Sequence, residues 1–162
     1  MNYAIREVRE DDLPYLAANL RSADIKELYA TYGHLRIPEV VRKCFELSDR
    51  SRVGVNDSDK PVVAFGVKRF SPACAVVWAF GTPEIRRYSI PFIRYSRPVL
   101  QDWFEELPDI QYFLNFSHSE NTLHHRWLAW VGAELLPDAP WGETGELFRP
   151  FIIRRQPSAT SD

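Results

Sequence analysis

Two cysteines in 162 residues, Cys44 and Cys74, leave no material for a disulfide framework. Both fall inside apolar segments, as small buried thiols do. Charge of one sign is also missing. Twenty Lys and Arg stand against 22 Asp and Glu, a net charge of −2, so no global basic field is present for non-specific nucleic-acid binding. The longest apolar stretch, Ala73 to Phe80, is far too short to cross a bilayer. The opening Met1-Asn2-Tyr3-Ala4-Ile5-Arg6 lacks the apolar core and small-residue cleavage site of a signal peptide, and a soluble, intracellular protein is expected. There is no internal repeat and no linker long enough to separate domains. What is present is a 45% hydrophobic, 14% aromatic composition, sufficient for one well-buried core. The expectation is a single domain over residues 1–155 with a polar, frayed tail over 156–162.

The pattern along the chain alternates between periods of two and of three to four. Tyr3 to Val8 reads as a strand. Asp11-Asp12 offers an N-cap and an acidic first turn for a helix carrying Leu13, Leu16, Ala17 and Leu20. A short helical piece over Ala23–Tyr32 ends at Gly33, and Pro38 opens a further helix through Val40, Val41, Cys44, Phe45 and Leu47. Arg52–Asn56 and Val62–Phe70, separated by Asn56-Asp57-Ser58-Asp59-Lys60-Pro61, predict a hairpin. Cys74–Phe80 reads as a central strand covered on both faces. Glu84 to Leu107 is helical in period, with Pro91 and Pro98 predicting a kink or two consecutive helices. A strand over Ile110–Phe116 is followed by a helix over Ser117–Gly132, with Ser117 and Glu120 at capping-box spacing. Ala133–Leu136 and Leu147–Ile153 close the order β-α-α-β-β-β-α-β-α-β-β. This predicts an α/β protein with a mixed, twisted central sheet of about six or seven strands and helices on both faces.

The segment Asn121-Thr122-Leu123-His124-His125-Arg126-Trp127-Leu128-Ala129-Trp130-Val131-Gly132-Ala133 carries a resemblance. An Asn opening a helix after a strand, aromatic and apolar residues one and two turns on, then Gly with a small apolar residue, resembles the fourth-helix motif of the GCN5-related N-acetyltransferase (GNAT) superfamily. The element order is similar across nearly the whole chain. A narrower likeness is carried by Arg6-Glu7-Val8-Arg9-Glu10-Asp11-Asp12, Leu20-Arg21-Ser22-Ala23-Asp24-Ile25-Lys26-Glu27-Leu28, Trp127–Gly132 and Leu147-Phe148-Arg149-Pro150-Phe151. Together these look like the acetyltransferase-like internal virion proteins of short-tailed bacteriophages.

The superfamily resemblance implies acetyl-CoA or CoA as ligand and assigns places for its chemistry. Arg86-Arg87-Tyr88-Ser89-Ile90-Pro91 aligns with the pyrophosphate loop Q/R-x-x-G-x-G/A, so Arg86, Arg87, Tyr88 and Ser89, with Asn121, are the candidate cofactor-binding residues. Ser89 and Pro91 replace the two glycines, and Pro91 removes one amide donor outright. Arg94 and Arg97 add charge suited to phosphate. The superfamily's acidic Tyr aligns with Leu128, which cannot protonate a leaving thiolate, leaving Tyr88, Tyr95 and Tyr112 as stand-ins. Asp24 and Glu27, three apart on one helix face in the region that lines the acceptor cleft of this fold, are the candidate bases. His118, His124 and His125 do not make a ligand set, because adjacent residues point about 100° apart on a helix; no metal is expected. Trp130 and Trp141 are the tryptophans expected at the surface, where they would permit self-association.

The narrower likeness implies a phage virion-associated or assembly protein that binds phage structural or host proteins, with degenerate catalysis. It would work in the host cytoplasm during infection or inside the virion. The alternative is an active N-acetyltransferase acting on an amine, with a host protein as one candidate acceptor. An open or a plugged gap between the fourth and fifth strands separates the two.

Overall fold

The computed structural model describes residues 2–33 and 36–157, so most of the 156–162 tail lies outside the described residues. The chain begins with strand β1 (Ala4–Arg6) and three helices, α1 (Asp12–Asn19), α2 (Ser22–Tyr32) and α3 (Ile37–Leu47). A meander follows, β2 (Arg50–Val55), β3 (Pro61–Arg69) and β4 (Cys74–Gly81). A 3-10 turn at Pro83–Arg86 leads into α4 (Ser89–Glu106), then β5 (Tyr112–His118), α5 (Thr122–Trp130), β6 (Glu134–Leu135), β7 (Ala139–Pro140) and β8 (Leu147–Arg154).

The eight strands form one sheet in the order β1-β2-β3-β4-β5-β8-β6, with β7 also on β8. All neighbours are antiparallel except β4 and β5, which are joined by the α4 crossover. Each face is covered. Leu100, Trp103 and Phe104 of α4 and Leu128 of α5 pack with Val67, Val77, Phe113 and Phe151 on one side. Leu13 and Leu16 of α1 and Val41 of α3 pack with Ala64 and Phe80 on the other. Gly66 is a position of close approach: a Cβ there would lie 2.5 Å from the Trp78 indole on the neighbouring strand.

Several local expectations are corrected. Three helices precede β2 where the summed order held two, and the two-residue β7 brings the strands to eight. Asp11 has helical backbone angles and makes no side-chain cap; the adjacent Asp12 is buried and accepts from Arg6 at 2.8 and 3.0 Å and from the Arg9 amide at 2.8 Å. This charge pair ties the start of α1 to β1. The helical pattern over 84–107 divides, because Pro91 falls in the first turn of α4, where its missing amide costs no helical bond. Pro98 remains inside α4. The Ser117–Glu120 capping box does not form: Ser117 belongs to β5, Glu120 pairs with Lys26, and α5 starts only at Thr122.

Candidate functional site

β4 and β5 pair only over Cys74–Val76 against Tyr112–Leu114. Beyond that point β4 stays on β3 as far as Gly81, while β5 stays on β8 as far as His118. The sheet therefore opens as a wedge, and the Asn115 side chain bridges its vertex, donating from Nδ2 to the Val77 carbonyl at 2.8 Å. A cavity of about 410 Å³ passes through this wedge. Its walls include Ala79 and Phe80 of β4, Asn115 and Phe116 of β5, Asp24 and Glu27 of α2, and Tyr95 and Val99 of α4. The gap between the fourth and fifth strands is open.

The two α2 carboxylates share the cavity wall but differ in chemistry. Asp24 is buried, takes a two-point bond from Arg21 (2.8 and 2.9 Å) and accepts the Gly81 amide at 2.8 Å. Its oxygens are committed to holding α2 against the end of β4. Glu27 has one side-chain donor, Asn121 Nδ2 at 2.8 Å. Burial raises its pKa from 4.5 to about 7, against the opposing pull of the Asn121 and His118 hydrogen bonds. Such a carboxyl is poised to exchange a proton near neutrality.

The loop after β4 departs from a glycine cradle in structure as in sequence. The Arg87 and Tyr88 amides are used by the 3-10 turn, bonding to Glu84 and Ile85 carbonyls, and Phe92 donates to Tyr88. Pro91 has no amide, so Ser89 and Ile90 hold the amides without a backbone acceptor at the start of α4, among the described residues. Arg86 is exposed and unpaired among the described residues, while Arg87 is 3.9 Å from Glu84. Arg94 is exposed, and Arg97 lies 4.0 Å over the Trp130 ring and bonds the Trp130 carbonyl.

Tyr88 is buried away from the wedge, with its hydroxyl 3.5 Å from Asp57; Tyr112 sits under Arg154. Tyr95 is the stand-in tyrosine that reaches the cavity. Leu128 is fully buried in the core under α5. Asn121 is buried and turned onto Glu27, so its side chain holds that carboxyl instead of facing a phosphate.

The three histidines diverge. His118 bonds Glu146 at 3.1 Å, and His124 bonds Ser117 Oγ at 3.1 Å. His124, one turn before Leu128 on the same helix, reaches the cavity with Trp127. Trp130 is 39% exposed, whereas Trp141 stacks on Phe116 at 4.4 Å and lines the cavity, correcting its expected place at the surface. Asn115, His124 and Trp141 are the cavity residues that sequence reasoning did not bring together. The i, i+4 spacing of His124 and Leu128 is the signal that points to His124.

No protein-family model matches the sequence, and no curated protein matches it. Solved structures do. An acetyltransferase of the GNAT family from Bacillus anthracis superposes with a TM-score of 0.68 at 13% identity, covering 95% of both chains. The chain has the GNAT fold. AAC(6')-Ib in complex with ribostamycin and coenzyme A shares this fold with a TM-score of 0.71 at 13% identity, over 100% of this chain and 99% of that one. Spermidine N-acetyltransferase from Vibrio cholerae, in complex with CoA and spermine, superposes at 0.68 with 11% identity, over 94% and 95% of the two chains. In this GNAT fold the wedge between β4 and β5 is the opening through the sheet that the cavity follows.

Proposed function

We propose that the chain is an acyl-CoA-dependent N-acyltransferase in which Glu27 is the general base. The observation that carries this reading is the open wedge, with a cavity through the sheet and an ionisable carboxyl of raised pKa on its wall. A thioester lying in the wedge would present its carbonyl carbon between α2 and α5. An acceptor amine attacks that carbon, the N–C bond forms, the C–S bond breaks, and CoA departs as the thiolate. Glu27, ionised, takes the proton lost by the amine nitrogen, directly or through one water. Asn121 holds the carboxylate in place by its 2.8 Å bond.

The residues fit a CoA pyrophosphate with a reduced set of donors. Ser89 and Ile90 supply amides at the start of an 18-residue helix, and Arg86 and Arg87 supply charge. Acetyl-CoA is the natural first donor to test.

A second reading is a protein-binding role in a short-tailed phage virion or its assembly, with phage structural or host proteins as partners and catalysis lost. Leu128 buried in the core at the acid position and Pro91, without an amide, in the first turn of α4 favour it.

Calorimetric titration of acetyl-CoA separates the two. The transferase reading expects a micromolar Kd, about −8 kcal/mol, weakened by Arg86→Ala/Arg87→Ala. Absence of saturable heat at millimolar ligand and at two temperatures overturns it and leaves the binding role.

A further inference from the structure

The transferase reading also requires stabilisation of the oxyanion that develops on the thioester carbonyl as the amine attacks. Leu128 offers nothing to it. His124 lies one turn earlier on the same face of α5 and lines the cavity beside Trp127. Its ring is fixed by stacking on Trp127, with centroids 5.5 Å apart, and by the edge of Phe151 at 6.3 Å. Its Nδ1 is 3.1 Å from the hydroxyl of Ser117, a residue with no exposed surface.

That contact bears on the tautomer. A buried hydroxyl must donate, and His124 Nδ1 is the side-chain partner of Ser117 among the described residues. With Ser117 donating to the Nδ1 lone pair, the ring proton resides on Nε2. Nε2 has no hydrogen-bond partner among the described residues, and it is absent from the buried polar atoms left unsatisfied, Tyr3 Oη and His125 Nε2. That leaves Nε2 free on a residue that lines the cavity.

Resting on the transferase reading, we propose that His124 is a neutral hydrogen-bond donor, aimed through Nε2–H at the thioester carbonyl oxygen and held in that tautomer by Ser117. It transfers no proton; it stabilises negative charge while Glu27 takes the proton from the amine. A neutral ring suits this role, and burial lowers its pKa to about 4, with Asp24 opposing and Arg21 and His125 reinforcing the shift.

The test uses the full chain with acetyl-CoA and, as a generic acceptor, n-butylamine. Nitrogen-15 and carbon-13 spectra of labelled histidine should show the Nε2–H tautomer for His124 in the free protein and loss of that preference in Ser117→Ala. The Nε2–H resonance should move on saturation with acetyl-CoA. His124→Leu should lose about 100-fold in kcat with the Kd for acetyl-CoA changed by less than about two-fold, and His124→Gln, which keeps an N–H donor, should recover part of the loss. An Nδ1–H tautomer, a resonance unmoved by bound acetyl-CoA, or full kcat in His124→Leu overturns the assignment while leaving the transferase intact. Failure of the wild-type chain to bind acetyl-CoA overturns both.

Discussion

Replacing Glu27 by Gln should stabilise the protein at alkaline pH and abolish its base. Glu27 faces the cavity, and burial outweighs its hydrogen bonds from Asn121 and His118, so the carboxyl ionises near 7 in the folded chain against 4.5 ordinarily. A raised carboxyl pKa means that ionisation works against folding. The stability that the protonated group confers is complete below 4.5 and is lost as pH rises through about 7. At about 1.36 kcal/mol per pKa unit, a displacement of 2.5 from 4.5 to 7 costs the wild type about 3 kcal/mol above pH 8. Gln is nearly isosteric, cannot ionise, and can present its carbonyl oxygen to Asn121. Glu27→Gln should therefore exceed the wild type by about 3 kcal/mol at pH 8, or roughly 6–12 °C in Tm, and by less than about 1 kcal/mol at pH 5. Urea denaturation at the two pH values, with m held common, measures the difference. A stability gap that is the same at pH 5 and pH 8 would refute the perturbed carboxyl, and with it the base assigned to this cavity. The rate of acyl transfer should rise with pH through about 7 and level off above, since the ionised form is the base.

Asp24→Asn leaves the Arg21 guanidinium, 17% exposed, facing a neutral amide and loosens the tie to the Gly81 amide; a loss of about 3 kcal/mol in urea denaturation is expected, and a loss under about 1 kcal/mol would show the pair to be dispensable. Gly66→Ala places a Cβ 2.5 Å from the Trp78 ring, which must move off its 2.8 Å bond to Ser48 and its edge contact with Phe45. That overpacking should cost about 1–3 kcal/mol and shift the tryptophan fluorescence, and an unchanged spectrum with wild-type stability would contradict it. Leu128→Tyr inserts a phenol into a site with no exposed surface, so it should destabilise by a similar amount without raising the rate of acyl transfer; a gain in kcat would show that the cavity reaches this position.

Much of the fold is local in origin and was legible in the residues. Asn56 to Pro61 makes a hairpin wherever it stands between two β-branched runs, since Asn56 bonds its own turn through Oδ1 and Asp59 adopts a left-handed backbone. The period of three to four in α3 and α4, and Gly132 at φ 91 after α5, follow from the same short-range rules. The split of α4 from the 3-10 turn is likewise set by Pro91. Asp24 and Glu27 could be placed on one helix face, three residues apart, but not told apart.

What separates those two carboxylates is tertiary. Arg21 and the Gly81 amide reach Asp24, while Asn121, just before α5 and 94 positions further on, supplies its Nδ2 to Glu27. The start of α5 differs from the sequence pattern for the same reason: Ser117 has the spacing of a cap, yet β5 extends to His118 because β8 pairs with it there, and the hydroxyl is taken by His124. The wedge itself has no local signature. It exists because β4 and β5 each keep an antiparallel partner on the far side and diverge from one another, so the site lies where two strands stop pairing. Sequence by itself determined which segments would be helix, strand and turn, because those choices are made within a few residues. Only the packed sheet decided which side chains meet in the opening, because desolvation and hydrogen bonding there depend on segments brought together from across the chain.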